Sequence, residues 1–60
     1  MKTENDKTIL VVDDEQNMRI ALYETLSRNG YQVSVAENGR MALDMLQRNV
    51  PDLVITDIKH

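Results

Sequence analysis

Sixty residues, 42% of them hydrophobic, with a net charge of −3, make a chain about half the length of an ordinary domain, too apolar for a disordered tail and too acidic for direct nucleic-acid binding. The absence of cysteine and the single histidine exclude disulfide staples and zinc fingers. No apolar run approaches the ~20 residues of a membrane helix, and the start MKTENDKT lacks a secretory apolar stretch, so the expectation is a cytoplasmic chain with no membrane contact.

Residues 1–7 are polar and charged and predict a disordered N-terminus. From Thr8 the pattern becomes regular. Ile9-Leu10-Val11-Val12 is a continuous β-branched and apolar run that ends abruptly in Asp13-Asp14-Glu15. Continuity, rather than alternation, is what a strand covered on both faces requires. Met18, Ala21, Leu22, Thr25 and Leu26 then recur at helical spacing, with Arg19, Glu24, Ser27 and Arg28 between them. Asn29-Gly30 supplies a stop, so a helix is predicted from Glu15 or Gln16 to Arg28.

Tyr31 to Glu37 alternates between apolar and small or polar residues and predicts a less buried strand at a sheet edge. Asn38 is placed to cap a second helix, with Met41, Ala42, Met45 and Leu46 as its buried stripe, broadened by Leu43. Arg40 and Asp44, one turn apart, predict a weak ion pair on its wet side. That helix should stop before Val50-Pro51, because the residue preceding proline is pushed out of the helical region. Leu53-Val54-Ile55-Thr56-Asp57 is the third strand, again ending in an aspartate.

The resulting string, β-α-β-α-β, calls for an α/β unit with a parallel sheet and helical crossovers. The most apolar strand belongs in the middle, which predicts the strand order 2-1-3 with crossovers on opposite faces. The gap between the first and third strands then becomes a topological switch point, where open α/β sheets bind ligands at the carboxyl ends of their strands.

Asp13, Asp14 and Asp57 all fall at those carboxyl ends. Neighbouring strands are about 4.8 Å apart, so the three carboxylates can converge. A hard, oxygen-seeking cation such as Mg²⁺ suits such a cluster and commonly serves phosphoryl chemistry, with one carboxylate as nucleophile. Aspartates also follow strands as turn formers and helix caps, and the pattern alone leaves both readings open. A dinucleotide site or P-loop fails sooner, since no glycine-rich loop follows the first strand.

Three segments together resemble a known family: Ile9 to Glu15; Ala36-Glu37-Asn38-Gly39 with Ala42-Leu43; and Pro51 to Ile58. They look like the receiver domain of two-component response regulators, and the resemblance runs from Thr8 to the end. It implies that residues 8–60 form the N-terminal half of a flavodoxin-like doubly wound sheet, a truncated receiver. By position, Asp57 matches the phospho-accepting aspartate, Asp14 the direct Mg²⁺ ligand, and Asp13 the acid that reaches Mg²⁺ through water. The backbone carbonyl of Lys59 would complete the metal ligands. The implied role is a regulatory phosphoacceptor rather than an enzyme in its own right, taking phosphate from a sensor histidine kinase or a small phosphodonor. A haloacid-dehalogenase-type phosphatase also sets an aspartate after its first strand, but the spacing Asp-x-Asp is lacking.

A receiver continues through two further strands and three helices, and its Ser/Thr and Lys donors to the phosphoryl group have no counterpart in these residues. By analogy with oxyanion donors, each such loss costs about 10²–10³ in rate, so impaired transfer is expected; Lys59 is no substitute and His60 is a plain terminal residue. The alternative is a half-receiver that acts only as an interaction module. Either way, Leu53-Val54-Ile55-Thr56 would form a bare apolar edge and Met18, Leu22, Met41 and Met45 would lie open, predicting a homodimer or association with a missing C-terminal half.

Overall fold

The computed structural model describes residues 7–56. Residues 1–6 and 57–60 lie outside it, and with them most of the expected N-terminal tail as well as Asp57, Lys59 and His60. Within that span the chain runs β1 (Thr8–Val12), α1 (Gln16–Arg28), β2 (Gln32–Ala36), α2 (Gly39–Arg48) and β3 (Leu53–Thr56). Both pairings of β1 are parallel, and the sheet order is β2-β1-β3, as the apolar run at Ile9 to Val12 predicts.

The middle strand forms the core because it alone has a strand on each side and a helix on at least one face at every position. Ile9, Leu10 and Val11 are buried, and Val11 is fully enclosed at 0% exposure. Successive side chains of a strand point to opposite faces, and the two helices divide those faces between them. On one face Leu10 and Ala36 pack with Ala42 of α2, joined by Val12, Met45 and Leu46. On the other, Arg19, Ile20 and Tyr23 of α1 border a shallow groove with Val35. Val35 and Ala36 are adjacent in β2, so α1 and α2 lie on opposite sides of the sheet.

Local chemistry sets the helix boundaries. Past α1, Gly30 adopts φ 96°, its N–H donates to the Ser27 carbonyl at 3.0 Å, and the Tyr31 N–H donates to the Leu26 carbonyl at 3.2 Å. This paired arrangement satisfies carbonyls that the helix itself leaves open, and it needs a residue in the left-handed region. The Asn29 side-chain amide adds a bond to the Thr25 carbonyl at 2.8 Å. At the start of α2, Asn38 Oδ1 accepts from the Met41 N–H at 2.9 Å, as expected of a cap. Helix α2 ends at Arg48, ahead of Val50-Pro51.

Three expectations are corrected. The half-buried row of α1 is Arg19, Leu22 and Leu26, whereas Met18 is 44% exposed and Ala21 and Thr25 face outward. The helix is rotated by about one position, because the Arg19 guanidinium is tied to the end of β1, as described below. The exposed ion pair of α2 joins Asp44 to Arg48 at 3.6 Å, in place of Arg40 to Asp44. An acid four residues N-terminal to a base is the better orientation, and Arg48 also complements the negative end of the helix dipole. Within the α2 stripe, Ala42 is buried and Met45 and Leu46 are half-buried, but Met41 and Leu43 are exposed.

A feature not anticipated is a clasp at the amino ends of β1 and β3. Asp52 Oδ2 accepts from the Thr8 N–H at 2.9 Å and from the Thr8 hydroxyl at 3.3 Å. In return the Asp52 N–H donates to the Thr8 carbonyl at 2.9 Å. These bonds set the register that pairs Ile9 with Leu53 and Val12 with Thr56.

The two glycines separate backbone need from packing space. Gly30→Ala is expected to cost about 1–2 kcal/mol, since Ala is strained at positive φ. At Gly39, in the first turn of α2, an added Cβ meets nothing within 4 Å, so Gly39→Ala should be neutral or stabilising by up to about 1 kcal/mol. Urea unfolding of the two variants, followed by circular dichroism, checks the opposite signs.

Candidate functional site

The three strands end on one line. Val12 is level with both Ala36 and Thr56, so the loops that follow β1 and β2 leave the sheet at a common edge. Those loops carry Asp13-Asp14-Glu15 and Glu37-Asn38-Gly39. The edge is therefore acidic by construction. Thr56 immediately precedes Asp57 in the chain, and Asp57 itself is not among the described residues.

Asp13 is the buried polar residue of the described chain, at 4% exposure. A buried carboxylate has to be held by hydrogen bonds; one reaches the side chain of Asp13, and two more fix its backbone. Its N–H extends the β1–β2 ladder by one bond, to the Ala36 carbonyl at 3.1 Å. Its side-chain Oδ1 accepts from the Glu15 N–H at 2.9 Å. Its carbonyl accepts from Nη1 of Arg19 at 2.8 Å. Asp14, the next residue, is exposed.

Adjacent carboxylates of this kind, one buried and bonded and the other at the surface, are hard oxygen donors suited to Mg²⁺. Among the described residues no group of three or more His, Cys, Asp or Glu side chains forms a metal site. The pair Asp13 and Asp14 is thus what the described residues contribute. Arg19 was legible only as a polar residue among apolar neighbours; its position one turn into α1 is the signal that it can reach back to the strand end. A groove of about 590 Å³, bordered by Thr8, Gln32, Met45 and Arg48, lies at the opposite edge of the sheet, away from the acidic pair. No described helix is long and apolar enough to cross a membrane.

Asp13→Ala should destabilise the chain by about 1–3 kcal/mol, because the Glu15 N–H loses its part-buried partner. Asp13→Asn keeps an oxygen acceptor there and should cost clearly less. Thermal melts of the two variants measure the difference.

Comparison with known proteins gives a consistent picture. Residues 9–59 match the response regulator receiver domain. The chain is 47% identical over 55 residues to the sporulation initiation phosphotransferase F of Bacillus subtilis, covering 92% of this chain and 44% of that protein. It is 48% identical over 50 residues to the response regulator MprA of Mycolicibacterium vanbaalenii, covering 83% of this chain and 22% of that one. A similar segment, 40% identical over 57 residues, occupies 4% of histidine kinase P4 of Formosa agariphila. The chain spans less than half the length of each of these relatives.

Proposed function

The chain belongs to the receiver domain family of response regulators, and from that membership we propose that it is a phospho-accepting signalling module that takes a phosphoryl group on Asp57. The observation that carries the reading is the common strand end, with Val12 level with Thr56. One residue beyond each lies an aspartate, Asp13 and Asp57. The family match extends over Asp13, Asp14, Asp57 and Lys59 alike.

In this reading Asp13, Asp14, Asp57 and the Lys59 carbonyl are the groups that would hold Mg²⁺. The chemistry of the donor set fits, being wholly oxygen and predominantly anionic. Such an ion would supply charge neutralisation at the acidic edge during phosphoryl transfer. An Asp57 carboxylate oxygen attacks phosphorus in line, an O–P bond forms, and the bond to the donor breaks. With a phosphohistidine donor, the departing imidazole nitrogen keeps the bonding electron pair. Asp13 stays held by the Glu15 N–H and the Arg19 guanidinium, so the acidic edge does not have to reorganise. A sensor histidine kinase is the proposed phosphodonor, and the whole relatives' outputs are not carried over.

Incubation with acetyl phosphate and Mg²⁺ tests this. The expected result is slow addition of one hydroxylamine-labile phosphoryl group, detected by mass spectrometry and lost in Asp57→Asn. Slowness is expected because these residues hold the acidic half of the site and not the Ser/Thr and Lys donors of the family. An adduct that persists in Asp57→Asn, or none in the unsubstituted chain, would contradict the reading and favour an interaction module instead.

The uncovered third strand supports a role in association. Among the described elements β3 contacts β1 alone, and Leu53 and Val54 are 52% and 41% exposed. An open apolar edge of this kind pairs readily with another strand. The proposed occupant is a second copy, third strand to third strand, or a chain bearing the remaining half of a receiver. Sedimentation equilibrium over a dilution series should show a folded species heavier than the monomer, and Ile55→Lys should shift it toward monomer. A folded monomer at all concentrations would contradict pairing with a second copy.

A further inference from the structure

Asp14 carries its side chain at the surface, yet the backbone on either side of it is held. A peptide unit is planar, so fixing one of its atoms in direction orients the whole unit. The unit joining Asp13 to Asp14 contains the Asp13 carbonyl, which accepts from Nη1 of Arg19 at 2.8 Å. The unit joining Asp14 to Glu15 contains the Glu15 N–H, which donates to Asp13 Oδ1 at 2.9 Å. With both planes pinned, the two backbone torsions at Asp14 are set, and so is the direction in which its side chain leaves the chain.

One of these pins comes from Asp13 itself and the other from a different element. Arg19 sits in the first turn and a half of α1, with its own N–H donating to the Glu15 carbonyl at 3.1 Å. Its guanidinium is part-buried and runs back along the helix to the strand end. It is also the one cation among the half-buried residues of α1, the others being Leu22, Leu26 and Ser27. A charged donor to a carbonyl is stronger than a neutral one, and placing it among them sacrifices an apolar contact with the sheet.

We propose that Arg19 is a positioning residue for Asp14, holding the Asp13–Asp14 peptide so that the Asp14 carboxylate is pre-aimed at a divalent cation. The inference rests on the reading of Asp14 as a Mg²⁺ ligand, but the peptide clamp can be examined without metal. Partners that orient metal ligands from outside the coordination sphere typically contribute 10–100-fold in affinity. A displacement of the carboxylate by a freely rotating peptide accounts for a loss of that size.

The test compares Arg19→Met, which keeps the apolar stem, with Arg19→Lys, which restores a single cationic donor, and with Leu26→Ala as a destabilised control in the same helix. Amide hydrogen exchange and chemical shifts at Asp14 and Glu15 are read first in metal-free chains. Arg19→Met should speed exchange at Asp14 and shift both amides, Arg19→Lys should reverse part of the change, and Leu26→Ala should leave these amides as in the parent. Mg²⁺ titration by the same signals should then show affinity about tenfold weaker in Arg19→Met, partly recovered in Arg19→Lys and unaltered in Leu26→Ala. If the metal-free amides are unchanged in Arg19→Met, or change no more than in Leu26→Ala, the clamp is overturned. If they change as expected but the parent chain shows no response to Mg²⁺, the clamp stands as a backbone device and the metal reading of Asp14 is what fails.

Discussion

Everything in this small fold depends on the enclosure of β1. Its four apolar residues between Thr8 and Asp13 leave no side that tolerates water, so a strand has to lie along each edge and a helix over each face. A parallel sheet meets this demand because each crossover helix covers a face as it returns the chain to the same end of the sheet. The two crossovers diverge from β1 to opposite faces, which makes the carboxyl edge between β1 and β3 a topological switch point.

That enclosure also accounts for the acidic edge. A strand apolar up to Val12 and charged from Asp13 onward can be buried only if the charged residues fall where the sheet ends. Asp13 is taken just inside that boundary, where the Glu15 N–H offsets the loss of water at its carboxylate and the Arg19 guanidinium does so at its carbonyl. Asp14 falls just outside it. One residue of difference in depth thus separates a carboxylate that organises the loop from one that stands at the surface.

Most of the fold was legible because its signals are local. The apolar run at Ile9 to Val12, the stops at Asn29-Gly30 and Val50-Pro51, and the cap at Asn38 each specify backbone geometry through neighbouring residues, and each is found as expected. The strand order followed from ranking the strands by apolar content. What escaped the reading depends on side-chain bonds that periodicity does not encode. The Thr8–Asp52 clasp joins residues far apart in sequence, and the rotation of α1 that brings in Arg19 and turns out Met18 follows a bond from a helix side chain to a strand-end carbonyl. Periodicity cannot distinguish a helix face rotated by one position when polar Arg19 is recruited by a carbonyl. Of the candidate site, Asp13 and Asp14 stand where the strand pattern predicts, and Asp57 and Lys59 lie outside the described residues.

The central claim, that β1 is the enclosed strand on which the edge is built, is tested most directly by native-state hydrogen exchange of the backbone amides. The account expects the slowest exchange along Leu10, Val11 and Val12, at rates set by unfolding of the whole chain, with faster exchange in β3, whose outer edge and faces are open. Protection in β3 or α1 that equals or exceeds that of β1 would contradict it.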